Sequence, residues 1–190
     1  MISKNILSIV NKYNENGIYF LFHGFIWWFN GKRKEKWCHS EAEEIYFYQG
    51  KLYDISDFFT TLNQILNIKY EQFSRVCYDQ NGYFYGEGLL CPFGKCKKNG
   101  RVTILPQKVW LQSGFKMLYY DNFVYYFSNE HNEKFDIQKD IWFDFKNNIN
   151  YWGISDVGLL NGLFYVLYEN GKISIYNPKL NSWQNDIFDL

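Results

Sequence analysis

Short runs of aromatic and aliphatic residues, broken by polar turn residues, recur along the whole chain. Near the start stands Asn16-Gly-Ile-Tyr-Phe-Leu-Phe-His-Gly-Phe-Ile-Trp-Trp-Phe-Asn-Gly-Lys-Arg-Lys-Glu-Lys-Trp37. Near the end stands Asn161-Gly-Leu-Phe-Tyr-Val-Leu-Tyr-Glu-Asn-Gly-Lys-Ile-Ser-Ile-Tyr-Asn-Pro-Lys-Leu-Asn-Ser-Trp183. Each predicts a tight Asn-Gly turn, an aromatic-aliphatic strand, a second strand ending in aromatic-Asn, a polar Lys-bearing turn and a Trp. Asn-Gly supplies the positive φ angles that a tight hairpin needs. Helical spacing of apolar positions occurs in two stretches only, residues 2–12 and residues 56–67. The second opens with Ser56-Asp57 as N-cap and places Phe58, Phe59, Leu62, Ile65 and Leu66 on one face. The expected class is therefore mostly β, with short helices near 2–12 and 56–67 that pack on the sheets.

Spacing extends the repeat. Asp121-Asn-Phe-Val-Tyr-Tyr-Phe127 leads through Phe135-Asp136 to Trp142. The aromatic-Asx residue precedes its Trp by 6 positions at Asp136 and at Asn177, and by 7 at Asn30. Two degenerate copies fall between, from Asn81-Gly82 to Trp110 and from Gln49-Gly50 onward. The turn positions Gly17, Gly50, Gly82, Asn122 and Gly162 lie 33, 32, 40 and 40 residues apart. A unit of two or three strands cannot bury its own aromatic face, so such units stack. The expected organisation is one domain over 1–190 made of about five degenerate β units.

Residues 161–187, and less closely 121–142 and 16–37, resemble a kelch-type β-propeller repeat. That repeat pairs an aromatic at a strand end with a Trp several residues later, across a turn. The Gly-Gly pair typical of it is absent from every copy. The resemblance implies a small propeller-like or meander array of antiparallel hairpins.

Composition narrows the field. Hydrophobic residues at 47% and charged residues at 21% exclude disorder and coiled coil. The 22% aromatic content favours sheet and also suits interfaces, because Tyr and Trp join an apolar body to a polar tip. Formal charge is zero overall, which disfavours wrapping of a nucleic-acid backbone over the whole surface. Residues 1–110 nevertheless hold 14 Lys+Arg against 10 Asp+Glu, and residues 111–190 hold 6 against 10. Four cysteines are too few for a disulfide scaffold. The first ten residues lack the features of a signal peptide and no run is long enough to span a membrane, so a cytoplasmic location is expected.

Candidate chemistry is sparse. The three His, at positions 23, 39 and 131, form no catalytic pattern, and His23 reads as a packed residue within an aromatic strand. Neither a nucleophile elbow nor a phosphate loop is present, so no enzyme and no cofactor are expected. Cys91 and Cys96, across a Pro/Gly-bearing turn, offer half of a zinc site without a second doublet. Binding chemistry concentrates in two basic stretches. One comprises Trp27, Trp28, Lys32, Arg33, Lys34, Lys36 and Trp37; the other comprises Lys95, Lys97, Lys98 and Arg101. The expected function is a non-catalytic protein-binding module, an adaptor or inhibitor acting on a larger protein or ribonucleoprotein. Small phage or mobile-element inhibitors, including those of CRISPR effector complexes, are of this size. The alternative is RNA or single-stranded nucleic-acid binding, with rings stacking on bases and cations meeting phosphates. No membrane partner is expected.

Overall fold

The computed structural model describes residues 17–41, 45–48, 51–54, 60, 64, 75–88, 91–97, 102–107, 116–129, 131–148 and 153–190. Apart from helical Thr60 and Gln64, the regular structure of these residues is strand, so the chain is mostly β. The helix expected over 2–12 lies outside the described residues, as does that over 56–67 except at those two positions.

The strands form antiparallel sheets in which neighbours in the chain are neighbours in space. The first contains β1 (Ile18–Phe22), β2 (Phe25–Phe29) and β3 (Lys34–His39). A two-stranded sheet follows, β4 (Ile45–Tyr48) with β5 (Lys51–Asp54). Next come β6 (Arg75–Tyr78), β7 (Tyr83–Gly88), β8 (Cys91–Lys97) and β9 (Thr103–Ile104). The fourth sheet contains β10 (Lys116–Tyr120), β11 (Phe123–Phe127), β12 (Glu133–Asp136) and β13 (Ile141–Asp144). The last contains β14 (Ile154–Leu160), β15 (Leu163–Tyr168), β16 (Lys172–Asn177) and β17 (Ser182–Asp189). A four-stranded antiparallel meander is the form a propeller blade takes.

These sheets belong to two compact units, residues 1–61 with 151–190, and residues 62–150. In the first unit, β1 lies beside β14, and Ile18, Phe20 and Phe29 join Leu160, Tyr165, Leu167, Ile173 and Ile175 in one buried cluster. The approach is close because β14 carries Gly158, where a Cβ would stand 2.8 Å from Ile18 Cδ1. The outward Leu21 N–H of β1 donates to Asp156 Oδ2 at 3.0 Å, so a buried carboxylate closes that strand edge. The other face of the first sheet buries Ile26 with Ile45 and Leu52. In the second unit, β6 lies beside β10, and Tyr85, Phe93, Met117, Val124, Tyr126 and Phe135 fill the space between the sheets.

The repeat has a physical basis in its polar turns. Asn30 Oδ1 accepts from the Lys32 and Arg33 N–H groups at 3.0 and 2.7 Å. Asp136 Oδ1 accepts from Gln138 and Lys139 at 3.0 and 3.1 Å, and Asn177 Oδ1 from Lys179 and Leu180 at 3.0 and 3.2 Å. An Asx side chain so placed imitates a backbone turn. The following Trp then registers with the aromatic before the Asx: Trp142 with Phe135, centroids 5.3 Å apart, and Trp183 with Tyr176, 5.1 Å apart. The first sheet has one residue more, absorbed as an irregularity in the β2–β3 register, and Trp37 packs on Tyr19 at 4.9 Å instead.

Asp136 also shows how charge adds to such a turn. Burial opposes its ionisation, but the Lys139 and Gln138 N–H groups and the Lys139 ammonium outweigh it and hold the carboxyl below its usual value. Its stabilising contribution is present above the unfolded carboxylate pKa of about 4 and is lost as pH falls through the lower folded value. Asp136→Asn keeps the Oδ1 acceptor and removes the charge. We expect a melting temperature modestly below wild type at neutral pH and a weaker decline on acidification, so that the two proteins converge in acid; an unchanged acid profile would contradict the assignment.

Two turn expectations are corrected. Gly17 does not sit at a positive-φ turn; it passes over the Trp28 indole, where a Cβ would lie 2.1 Å from Nε1. The tight turn falls instead at His23-Gly24, φ 49° and 73°, between β1 and β2. His23 is accordingly exposed at a turn rather than packed in a strand. The same positive-φ pair recurs at Asp121-Asn122 and Asn161-Gly162. Among the described residues no helix is long and apolar enough to cross a membrane.

Candidate binding surface

The β2–β3 hairpin separates the residues that the sequence groups together. Trp28 points into the core, 7% exposed, and packs there. Trp27 packs against the cluster around Phe20, and Trp37 against that around Ile26. Lys32, Arg33, Lys34 and Lys36 are all exposed, with Glu35 the single acid among them. The cause is local. The Asn30 turn leads the chain from the buried β2 to β3, the outer strand of its sheet, and antiparallel pairing places Lys34 opposite Phe29 and Lys36 opposite Trp27.

Rings hold part of this charge in place. The Lys36 ammonium lies 3.3 Å from the Phe25 ring centroid and 5.8 Å from that of Trp27. Such a contact at an exposed site is worth about 0.5–1 kcal/mol. The Lys34 ammonium donates to the Asp189 carbonyl oxygen. Phe25 was not singled out by the sequence; it becomes visible as a partner once the His23-Gly24 turn fixes the β1–β2 register.

The second basic stretch lies on another sheet. Tyr83 registers with Lys97, whose ammonium sits 4.2 Å from the ring centroid, while that of Lys95 is 5.9 Å away. Lys97 is exposed and Lys95 half-buried; Lys98 and Arg101 lie outside the described residues.

The segment Cys91–Lys97 is strand β8 rather than a turn. Five residues of extended strand separate the Cα atoms of Cys91 and Cys96 by about 16 Å, too far for two ligands about 2.3 Å from one zinc ion. Cys96 is buried. Among the described residues no group of three or more His, Cys, Asp or Glu is placed to hold a metal ion. Burial raises the Cys38 thiol pKa despite a backbone hydrogen bond from Ile26, and raises that of Cys77 with help from the Asp79 charge. A raised pKa disfavours the thiolate, so neither is poised as a nucleophile at neutral pH.

No family model matches the chain, and no curated protein matches it. Among solved structures, the crystal structure of HIRA(644-1017) aligns with 85% of this chain at 10% sequence identity and a TM-score of 0.40. The chain spans 44% of the length of that structure.

Proposed function

We propose that the chain is a non-catalytic protein-binding module that engages a larger protein through the β2–β3 hairpin. The observation that carries this reading is that the indoles there are turned toward the core while the cations stand outside. Stacking on nucleobases requires displayed ring faces. Trp28 is buried and Trp27 and Trp37 are half-buried against the core, so none of the three indoles is fully displayed beside the cations. Charged side chains around an ordered apolar base instead suit the rim of a protein interface, where they set encounter rate and partner choice. The reading takes the aromatic-Asx-Trp units as degenerate kelch-type blades of one domain, working in the cytoplasm as an adaptor or as an inhibitor of a larger complex. Inhibitors of CRISPR effector complexes carried by phages or mobile elements are one such class. Lys95, Lys97, Lys98 and Arg101 form a secondary contact region in this reading.

The test is affinity capture of the tagged full chain from lysate of its native host, with and without nuclease. The expected result is one protein partner retained after nuclease treatment and lost when Arg33 and Lys34 are both replaced by Glu. Loss of all capture on nuclease treatment would instead favour the nucleic-acid reading and sink this one.

A further inference from the structure

The outer edge of β3 offers more than charge. Among the described residues β3 pairs only with β2. The Asn30 N–H donates to the Arg33 carbonyl at 3.1 Å, which fixes the phase of the ladder. In an antiparallel pair, residues alternate between exchanging hydrogen bonds with the partner and directing their N–H and C=O groups away from it. Glu35, opposite Trp28, therefore bonds inward, while the backbone groups of Lys34 and Lys36 face outward. The same count turns the Leu21 N–H of β1 outward, where Asp156 receives it. The β1 edge is thus closed by a carboxylate, and the β3 edge is lined by ammonium groups.

We propose, building on the protein-binding reading, that β3 is a docking edge for an extended acidic segment of the partner, which adds as a further strand. Charge complementarity selects this occupant. Lys34 and Lys36 stand two residues apart and share one face, with Lys32 and Arg33 at the adjoining turn and Glu35 on the opposite face. Carboxylates at alternate positions of an incoming strand would stand opposite both lysines, Lys34 turning from the Asp189 carbonyl to meet one, and cross-strand ion pairs of this kind contribute about 0.2–1 kcal/mol each. The Lys36 ammonium is already held on that face by Phe25. Lysines on this edge also repel basic strands and oppose neutral ones through the cost of desolvating their charge, so the feature that guards against indiscriminate pairing is the one that chooses an acidic partner.

The full chain should be titrated with a blocked synthetic peptide alternating Glu with Val and Thr, followed by fluorescence anisotropy. A Lys-for-Glu peptide, a peptide N-methylated at alternate residues and an oligouridylate serve as comparators. We expect the acidic peptide to bind, and the Lys peptide and the N-methylated peptide to fail. Lys34→Glu with Lys36→Glu should weaken binding about tenfold while the protein stays folded, its melting temperature falling only by the small amount that loss of the Asp189 and Phe25 contacts accounts for. Equal binding of the N-methylated peptide would reduce the contact to undirected charge attraction and overturn strand addition. Tighter binding of oligouridylate, or no binding of the acidic peptide at millimolar concentration, would overturn it too. Nuclease-resistant capture reads the protein-binding proposal separately, so capture without peptide binding removes strand addition alone.

Discussion

Phe135→Ala should cost about 3–5 kcal/mol of unfolding free energy, the usual range for deleting a fully enclosed ring. Phe135 is fully buried on β12, between Val124 of β11 and Trp142 of β13. Its ring meets Phe93 of β8 edge-on at 5.1 Å and Trp142 at 5.3 Å, so it joins the two four-stranded sheets of its unit. Strands constrain the backbone around the hole, which limits collapse and keeps the cost high. A domain is typically stable by only about 5–15 kcal/mol, so the variant should unfold at much lower urea concentration. Urea titration followed by tryptophan fluorescence measures this, with Trp142 beside the cavity as a local reporter. A loss below about 1 kcal/mol would mean that the ring is not enclosed as described.

The second large effect is expected at a polar residue. Asp79 is buried at the β6–β7 turn, and its Oδ1 accepts from the Asn81 and Tyr83 N–H groups at 2.8 and 2.9 Å. Its Oδ2 accepts from the Tyr85 hydroxyl at 3.3 Å. Burial chiefly, and then the Asp79 charge, push the Tyr85 hydroxyl pKa upward, so this group remains a donor at all physiological pH values. Asp79→Ala removes one acceptor from two turn amides and leaves a buried hydroxyl unsatisfied, an expected loss of about 2–3 kcal/mol. Asp79→Asn keeps the Oδ1 acceptor and should lose distinctly less. Thermal unfolding of both variants, with hydrogen exchange at Asn81 and Tyr83, checks the ordering. Equal losses would assign the effect to the Tyr85 contact rather than the turn.

The parts legible in the sequence are those where one residue type does one local task. Asn30, Asp136 and Asn177 close turns through their own side chains, so their spacing to Trp142 and Trp183 survives as a visible repeat. The seven-residue interval to Trp37 recorded the irregularity in the β2–β3 register, although its meaning emerged only from that register. Residues 17–29 were harder to divide, because both faces of β1 and β2 are covered and the run is apolar nearly throughout. Period-two alternation vanishes in such a stretch, and the His23-Gly24 turn is concealed within it. The β8 segment misled for the converse reason. Pro92 and Gly94 suggest a turn, yet Pro92 lies beside the register shift at Gly86/Gly88, where proline is tolerated in a sheet. At the candidate surface the cations were legible, whereas the outward backbone groups of β3 depend on ladder phase, which composition does not encode.

The hydrogen bond from Leu21 to Asp156 spans 135 residues of chain. Its neighbours share that property, since Phe29 packs on Phe188 with centroids 4.8 Å apart and Ile18 lies over Gly158. During synthesis, β1–β3 therefore emerge long before the strands that cover them. Residues 62–150 make a compact unit from one continuous stretch and can complete their core first. Over that interval the aromatic face of β1–β3 must wait, open to solvent, and closing so long a loop is intrinsically slow. An early-synthesised sheet with one aromatic face uncovered is a hazard of aggregation, and the lysines along β3 supply like-charge repulsion during the period when it is greatest.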